Sequence, residues 1–416
     1  MSVAETLKQA GRGSVRGARG RVRQALVVAQ VSLSVALLIG TALMVETILR
    51  LNQVDPGFRS DHVLTARTSL PDSEHYRELK NRVAFYREVL ARVQKLPGVT
   101  AAGYTTFLPL TNRGGTSGFE IEGRPKQAPG ESNDANHRVV TPDYLRAIGV
   151  PLTEGRMITE ADGPNEPPVA LVNRTMARQY WAGESPLGKR FRPGADTTPW
   201  VKIVGVVGDV KQMGLDVPAR AEMYFSYQQP AASYGYFSPR DLAVRTAGDP
   251  VSVAAAVRRA VAEVDKDQPV SRVQPLGDLV ESEVAGRRVQ TVVLGSFTML
   301  ALALASLGIY AVLAYTVTQR SGEIGLRMAL GAREREVLAA VMGEGARLVA
   351  CGMMLGLAAA WVLTRWMASL LYGVTATDAR TFAGSVILFL AIGLSACYFP
   401  ARRAARIDPA TALRQE

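Results

Sequence analysis

The chain has 416 residues, 48% of them apolar and 20% charged, with a formal net charge of +11. Asp, Glu, Lys and Arg are absent from 25–45, 289–319, 348–364 and 381–401 and dense between these windows. That distribution excludes an ordinary cytosolic enzyme. The excess cations flank the apolar windows, which argues against a nucleic-acid partner.

Residues 1–24 carry six cations against Glu5 and precede the first window. A hydrocarbon core of about 30 Å needs about 20 apolar residues of helix, so all four windows qualify as membrane spans. The third, 348–364, is extended at its ends by snorkelling Arg347 and Arg365. The first is longer than the roughly 7–15 apolar residues of a cleaved signal, so it is expected to remain as an anchor. The segments 1–24, 320–347 and 402–416 hold +5, +1 and +2 of the net charge. By the positive-inside rule these three face the cytoplasm, leaving 46–288 and the short loop 365–380 outside. The cysteines, Cys351 and Cys397, both fall in spans, so the outer domain has no disulfide framework and no metal site is assigned.

The outer domain changes apolar period repeatedly, as an α/β (α+β) fold does. Val63–Leu70 reads as a strand, His75–Leu96 as a helix stopped by Pro97-Gly98, and Val99–Phe107 as a second strand. Asp241–Arg245 and Pro250–Val264 repeat the strand–helix step. The two ends are therefore expected to form one subdomain, with about 108–238 inserted as another. That middle holds strands at Phe119–Glu122, Val169–Val172, Trp200–Val207 and Glu222–Tyr227, and exposed loops at Asn112–Gly118 and Lys126–Asn136.

Two motifs come close to catalytic patterns and are rejected. Gly183–Arg190 has GxxxxGK spacing, but Arg190 stands where a magnesium-binding hydroxyl is required and Pro186 lacks an amide donor. Gly115-Thr-Ser117-Gly-Phe119 resembles a nucleophile elbow, but the last glycine is Phe and no strand-to-helix turn surrounds it. His62, His75 and His137 read as surface or loop residues. No catalytic residue is assigned.

Within the spans, Ser32, Ala36 and Gly40 recur every four residues, and Gly352 with Gly356 forms a second small-residue stripe. Small residues let helices approach closely. No span carries a central ionisable residue, so energy for any transport must come from elsewhere. In 321–337, Glu323 and Arg327 are spaced to pair along a short helix, and Ile324, Met328 and Ala332 form an apolar stripe. Gly331 ends that helix, and Glu334–Arg347 leads into the third span. A short amphipathic helix at the membrane surface suits a partner's groove.

The phrases QRSGEIGLRMALGA and YFPARRAARIDPATALRQE resemble the MacB/FtsX-type permeases of ATP-binding cassette systems. ALVVAQVSLSVALLIGTAL, LNQVDPGF, LPGV, TPDYLRAIGVPLTEGR, WVKIVGVVGDV and RTAGDP extend the resemblance over nearly the whole chain, nearest to the acidobacterial duplicated permeases. The resemblance implies a multi-pass protein of the bacterial inner membrane with a large periplasmic core domain. It also implies a dimer, with itself or a homologous half, and a separate ATPase subunit that binds the ATP, this chain holding no cofactor. ATPase coupling falls on Glu323, Ile324, Gly325, Arg327, Met328, Gly331 and Ala332, and anchoring at the inner surface on Pro400, Arg402, Arg403, Asp408, Pro409 and Leu413. The role implied is mechanotransmission for export, with a periplasmic adaptor or outer-membrane channel among the partners. The alternative is a scaffold or signal transducer regulating a periplasmic partner such as a cell-wall enzyme. The fused ATPase of MacB is absent and one half of a duplicated pair is present, so the chain is expected to be a stand-alone half or part of a longer gene product.

Overall fold

The structure is a computed structural model and describes residues 3–111, 116–125, 133–194, 198–229, 238–330 and 333–404, with side chains from Arg21 onward except that of Ala329. In chain order, α1 spans Val3–Asn52, β1 Val63–Thr68, α2 Glu74–Arg77, α3 Leu79–Val93 and β2 Val99–Thr105. Next come β3 Thr116–Ile121, β4 Asn133–Val140, α4 Tyr144–Ala147, β5 Leu152–Gly155, β6 Val169–Asn173 and α5 Arg174–Tyr180. β7 Arg190–Pro193, β8 Val201–Val207, β9 Glu222–Ser226, β10 Asp241–Thr246, α6 Ala254–Ala262 and β11 Val270–Pro275 complete the extramembrane part. α7 Leu276–Gln319, α8 Ser321–Ala329, α9 Glu334–Trp366 and α10 Ala379–Ala404 follow. The chain divides into two compact units, Met1–Gln53 with Gly286–Glu416, and Val54–Ala285.

In the second unit, strands from both chain ends alternate across the antiparallel order β11-β1-β10-β2. The helices α3 and α6 cover this sheet, burying Phe85, Val89 and Val93 together with Val257 and Val261 against Leu64, Tyr104 and Val244. A single pairing, Thr105 with Val140, joins β2 to β4. Beyond it the order β4-β3-β7-β8-β6-β9 closes on itself, because β9 pairs in parallel with β4. Phe119, Phe191, Ile203 and Phe225 are buried in the core of this closed group. A Cβ on Gly103 of β2 would stand 2.4 Å from the Tyr144 backbone, so glycine lets α4 lie directly on the sheet.

The closed group hides a charged pair that strand periodicity alone does not reveal. Arg138 of β4 and Glu222 of β9 are both 1% exposed, with Nε and Oε1 3.3 Å apart. Glu222 Oε2 accepts from the Tyr224 hydroxyl at 2.6 Å and from Gln212 Nε2 at 3.2 Å. Burial pushes the Glu222 carboxyl above its ordinary range, against the pull of Arg138.

Beside this pair, burial and the Arg138 charge push the His137 imidazole down to about 4. In the unfolded chain the ordinary value is about 6.5, so between these limits the unfolded state binds the extra proton. The stability contributed by neutral His137 is therefore complete above about pH 6.5. It is lost as the pH falls toward 4, by at most about 1.4 kcal/mol per pH unit. Chemical denaturation at pH 7.5, 6 and 5 is expected to show this slope in the wild type and a flatter one in His137→Gln. Equal slopes would contradict it.

Among the described residues four helices are long and apolar enough to cross a membrane: Arg21–Asn52 within α1, then α7, α9 and α10. Val31, Val35 and Ile39 of α1 pack with Leu302, Ala305 and Ile309 of α7, Val349 and Met353 of α9, and Phe389 and Cys397 of α10. Phe297, Leu307, Met354, Trp361, Ile387 and Phe399 are left exposed on the outer faces of the bundle. Exposed apolar side chains at this density suit lipid rather than water. Helix α7 begins 13 residues before the charge-free window at 289–319, because the charged stretch LGDLVESEVAGRR is also helical.

Candidate coupling and helix-packing sites

The small-residue stripe of α9 marks a backbone-level crossing with α1. A Cβ on Gly352 would meet Val31 Cγ1 at 2.4 Å, and one on Gly356 would meet the Ser32 carbonyl oxygen at 2.8 Å. The Ser32 backbone therefore meets the stripe at Gly356, while Gly352 meets Val31 and Val28, and Ala36 is buried in the same bundle core. Gly40 lies elsewhere, with Leu294 and Met367 at ordinary contact distances of 3.8 and 3.9 Å. A further close approach carried no stripe in the sequence: a Cβ on Gly345 would stand 2.6 Å from Cys397 Sγ and 2.9 Å from Leu313.

These gaps give a paired test within one helix. Gly352→Leu is expected to separate α1 from α9 and to abolish the folded species in detergent, since overpacking costs about 1–3 kcal/mol even where backbones are free to shift. Gly343→Leu is expected to be tolerated, because nothing lies within 4 Å of its Cβ position. Size-exclusion profiles of the two variants check this, and equal behaviour would contradict the crossing.

Helix α8 lies between the end of α7 and the start of α9. The main-chain N–H of Arg333 donates to Glu336 Oε2 at 3.4 Å, and Glu334 and Glu336 sit in the first turn of α9, where the helix dipole favours acids. On α8, Arg327 donates to Glu323 Oε1 at 2.5 Å, one helical turn away. Both side chains are more than half exposed, so the pair contributes a few tenths of a kcal/mol to the helix at most.

Ile324 is buried with Val317 of α7, Val337 of α9 and Ala404 of α10, and Met328 packs against the same cluster. Gly325 is buried as well. The stripe begun by Ile324 and Met328 thus faces the chain's own helices, while Gly331 and Ala332 lie outside the described residues. The face left open carries Leu326 and Leu330, 52% and 80% exposed, beside Glu323 and Arg327. Periodicity could have found these leucines, since they share i,i+4 spacing with Gly322. Behind α8 is a cavity of about 220 Å³ lined by Arg320, Glu344 and Val341, with Arg320 and Glu344 3.4 Å apart.

Of the C-terminal residues, Pro400 is buried within α10, Arg402 is exposed, and Arg403 Nη1 donates to the Tyr310 hydroxyl at 2.9 Å. Asp408, Pro409 and Leu413 lie outside the described residues.

The polar groups of the two near-catalytic motifs are engaged locally. Lys189 Nζ is 2.8 Å from Glu184 Oε2, within its own loop. Ser117 Oγ does meet a histidine, 3.0 Å from His137 Nδ1, on neighbouring strands. His137 is 3% exposed, which keeps substrate from that pair.

A family model for the MacB-like periplasmic core domain matches residues 25–264, and one for the FtsX-like permease C-terminal region matches 295–409. An uncharacterized ABC transporter permease of Bacillus subtilis, YknZ, is 24% identical over 69% of this chain and 71% of its own length. The pyoverdine export ATP-binding/permease protein PvdT of Pseudomonas putida is 27% identical over 64% of this chain, and the macrolide export ATP-binding/permease protein MacB of Bdellovibrio bacteriovorus 26% over 67%. The chain spans only 41% and 43% of the length of those two. The solved periplasmic region of MacB from Actinobacillus actinomycetemcomitans matches 54% of this chain and 94% of its own, at 15% identity and a TM-score of 0.37. The periplasmic-core match alone covers more than half the sequence, and the FtsX-like match holds α8 and the spans around it. The chain is a member of the MacB/FtsX-type permease family of ABC transporters.

Proposed function

We propose that this chain is a permease subunit of the bacterial inner membrane that carries an ATPase's conformational change to its periplasmic domain, driving export or extrusion of a substrate. One observation carries the reading: α8 presents Leu326, Leu330, Glu323 and Arg327 outward while Ile324 and Met328 hold it to the ends of α7, α9 and α10. An apolar pair rimmed by charges suits docking into a groove of a separate ATPase subunit. A displacement of α8 passes to three helix ends at once through the Ile324 cluster. The ATP is bound by the partner, and the permease works as a dimer with itself or a homologous half. A periplasmic adaptor or outer-membrane channel would receive the cargo.

Detergent purification of the tagged chain from its host, followed by mass spectrometry, tests this. An ABC-type ATPase is expected with the wild type and is expected to be lost from Leu326→Glu/Leu330→Glu. A folded double variant that retains the ATPase would exclude this face as the docking surface.

A further inference from the structure

Within the periplasmic unit, the segments 55–59, 149–151 and 208–211 line a cleft of about 670 Å³. Main-chain hydrogen bonds fix its walls: Arg59 N–H to the Ile148 oxygen at 2.8 Å, Lys211 N–H to Pro56 at 2.9 Å, and Gly208 N–H to Pro151 at 2.9 Å. Gly57, at φ 79°, lies so near that a Cβ would stand 1.8 Å from the Asp209 carbonyl oxygen. The cleft is therefore formed before any ligand arrives.

Its lining sets five cations, Arg59, Arg146, Arg174, Lys211 and Arg245, against two carboxylates. Each of those carboxylates already accepts hydrogen bonds from the protein. Asp55 accepts from Gly57 N–H at 2.9 Å, and Asp209 from Thr175 N–H at 2.8 Å and Arg178 at 3.1 Å. Two of the cations are also committed: Arg245 donates to the carbonyls of Ala147, Arg59 and Asp61, and Arg146 stands 3.5 Å from Asp143. Lys211 Nζ has a neutral partner, the Val217 carbonyl at 3.0 Å. Arg59 and Arg174 are exposed and have no carboxylate partner among the described residues. Holding five cations against two carboxylates in one cleft opposes folding, and an anion bound there reduces that cost. A single carboxylate is satisfied by one bidentate guanidinium; three cations lining one cleft match an oxyanion with more acceptor oxygens, as on phosphorus.

We propose that this cleft binds a phosphate-bearing ligand through Arg59, Arg174 and Lys211. The phosphate belongs either to a soluble solute or to an anionic lipid headgroup, and the experiment separates the two. The full chain is placed in nanodiscs of neutral phosphatidylcholine and titrated with inorganic pyrophosphate by calorimetry. In parallel, phosphatidylglycerol retained from mixed-lipid nanodiscs is counted by native mass spectrometry. Saturable pyrophosphate binding without lipid enrichment identifies a soluble ligand, and retained phosphatidylglycerol that pyrophosphate displaces identifies a headgroup. In either case Arg59→Gln/Arg174→Gln is expected to weaken binding by about tenfold or more, and Lys211→Gln to weaken it independently. These side chains are not packed into the core, and an unchanged melting temperature verifies that the variants fold. The proposal is overturned if the wild type binds neither probe, or if binding is equal in the folded double variant.

Discussion

Gly286→Pro is expected to abolish the response of the periplasmic domain to ATP while leaving ATPase association intact. Helix α7 is one element of 44 residues. Its first residue, Leu276, is fully buried in a core with Phe58, Tyr144 and Ile148, and Val317 near its other end packs beneath α8. In the proposed mechanism a push on α8 travels along this helix. Proline at 286 removes a hydrogen bond and clashes with the preceding turn, at about 3 kcal/mol, and kinks the helix. Alanine at the same position has open space around it and should stabilise the helix by about 0.5–1 kcal/mol. Hydrogen exchange of residues 54–285 in the permease–ATPase complex, with and without ATP, reads the difference. Wild type and Gly286→Ala should respond, and Gly286→Pro should not. A full response in the proline variant would remove α7 as the transmitting element.

Glu222→Ala is expected to be the most damaging single change in the periplasmic unit that leaves the backbone untouched. It strands Arg138, 1% exposed, without its counter-charge. Breaking a buried pair on one side costs about 3–5 kcal/mol. For a domain of this size that lowers the melting temperature by roughly 6–20 °C. The double variant Arg138→Met/Glu222→Gln removes both charges and keeps an oxygen to accept from Tyr224 and Gln212, so it should recover most of the loss. A single variant within about 1 kcal/mol of wild type would mean that the pair contributes little. The double variant separates a charge effect from a packing defect, because Met and Gln nearly preserve volume.

The membrane part was legible because a run of about 20 apolar residues without charge is the length a helix needs to cross a bilayer and is rare elsewhere. The same rule hid the first 13 residues of α7, whose charges made them resemble the domain before them. Strands with alternating or continuous apolar runs, such as β1, β6 and β8, could be read directly. Strand β4 could not: its start, Asn133 to Asn136, is polar and reads as loop, while the structure pairs it with β3. Arg138 follows the polar stretch Asn133 to His137 and Glu222 stands two residues after Arg220, so neither charge marks itself as buried, and a sequence cannot show that two such charges meet across a parallel pairing. The case of α8 is subtler. Ile324–Met328 and Leu326–Leu330 both have helical spacing, so periodicity predicts an amphipathic helix without deciding which pair turns inward. Only the positions of Val317, Val337 and Ala404, drawn from three other helices, decide it.

Site-specific photocrosslinking from α8 tests the coupling account most directly. A crosslinker at position 326 should capture the ATPase in membranes, and one at position 324, buried against the chain's own helices, should not. Capture from 324 with none from 326 would mean that α8 turns its other face to the partner and would contradict the account.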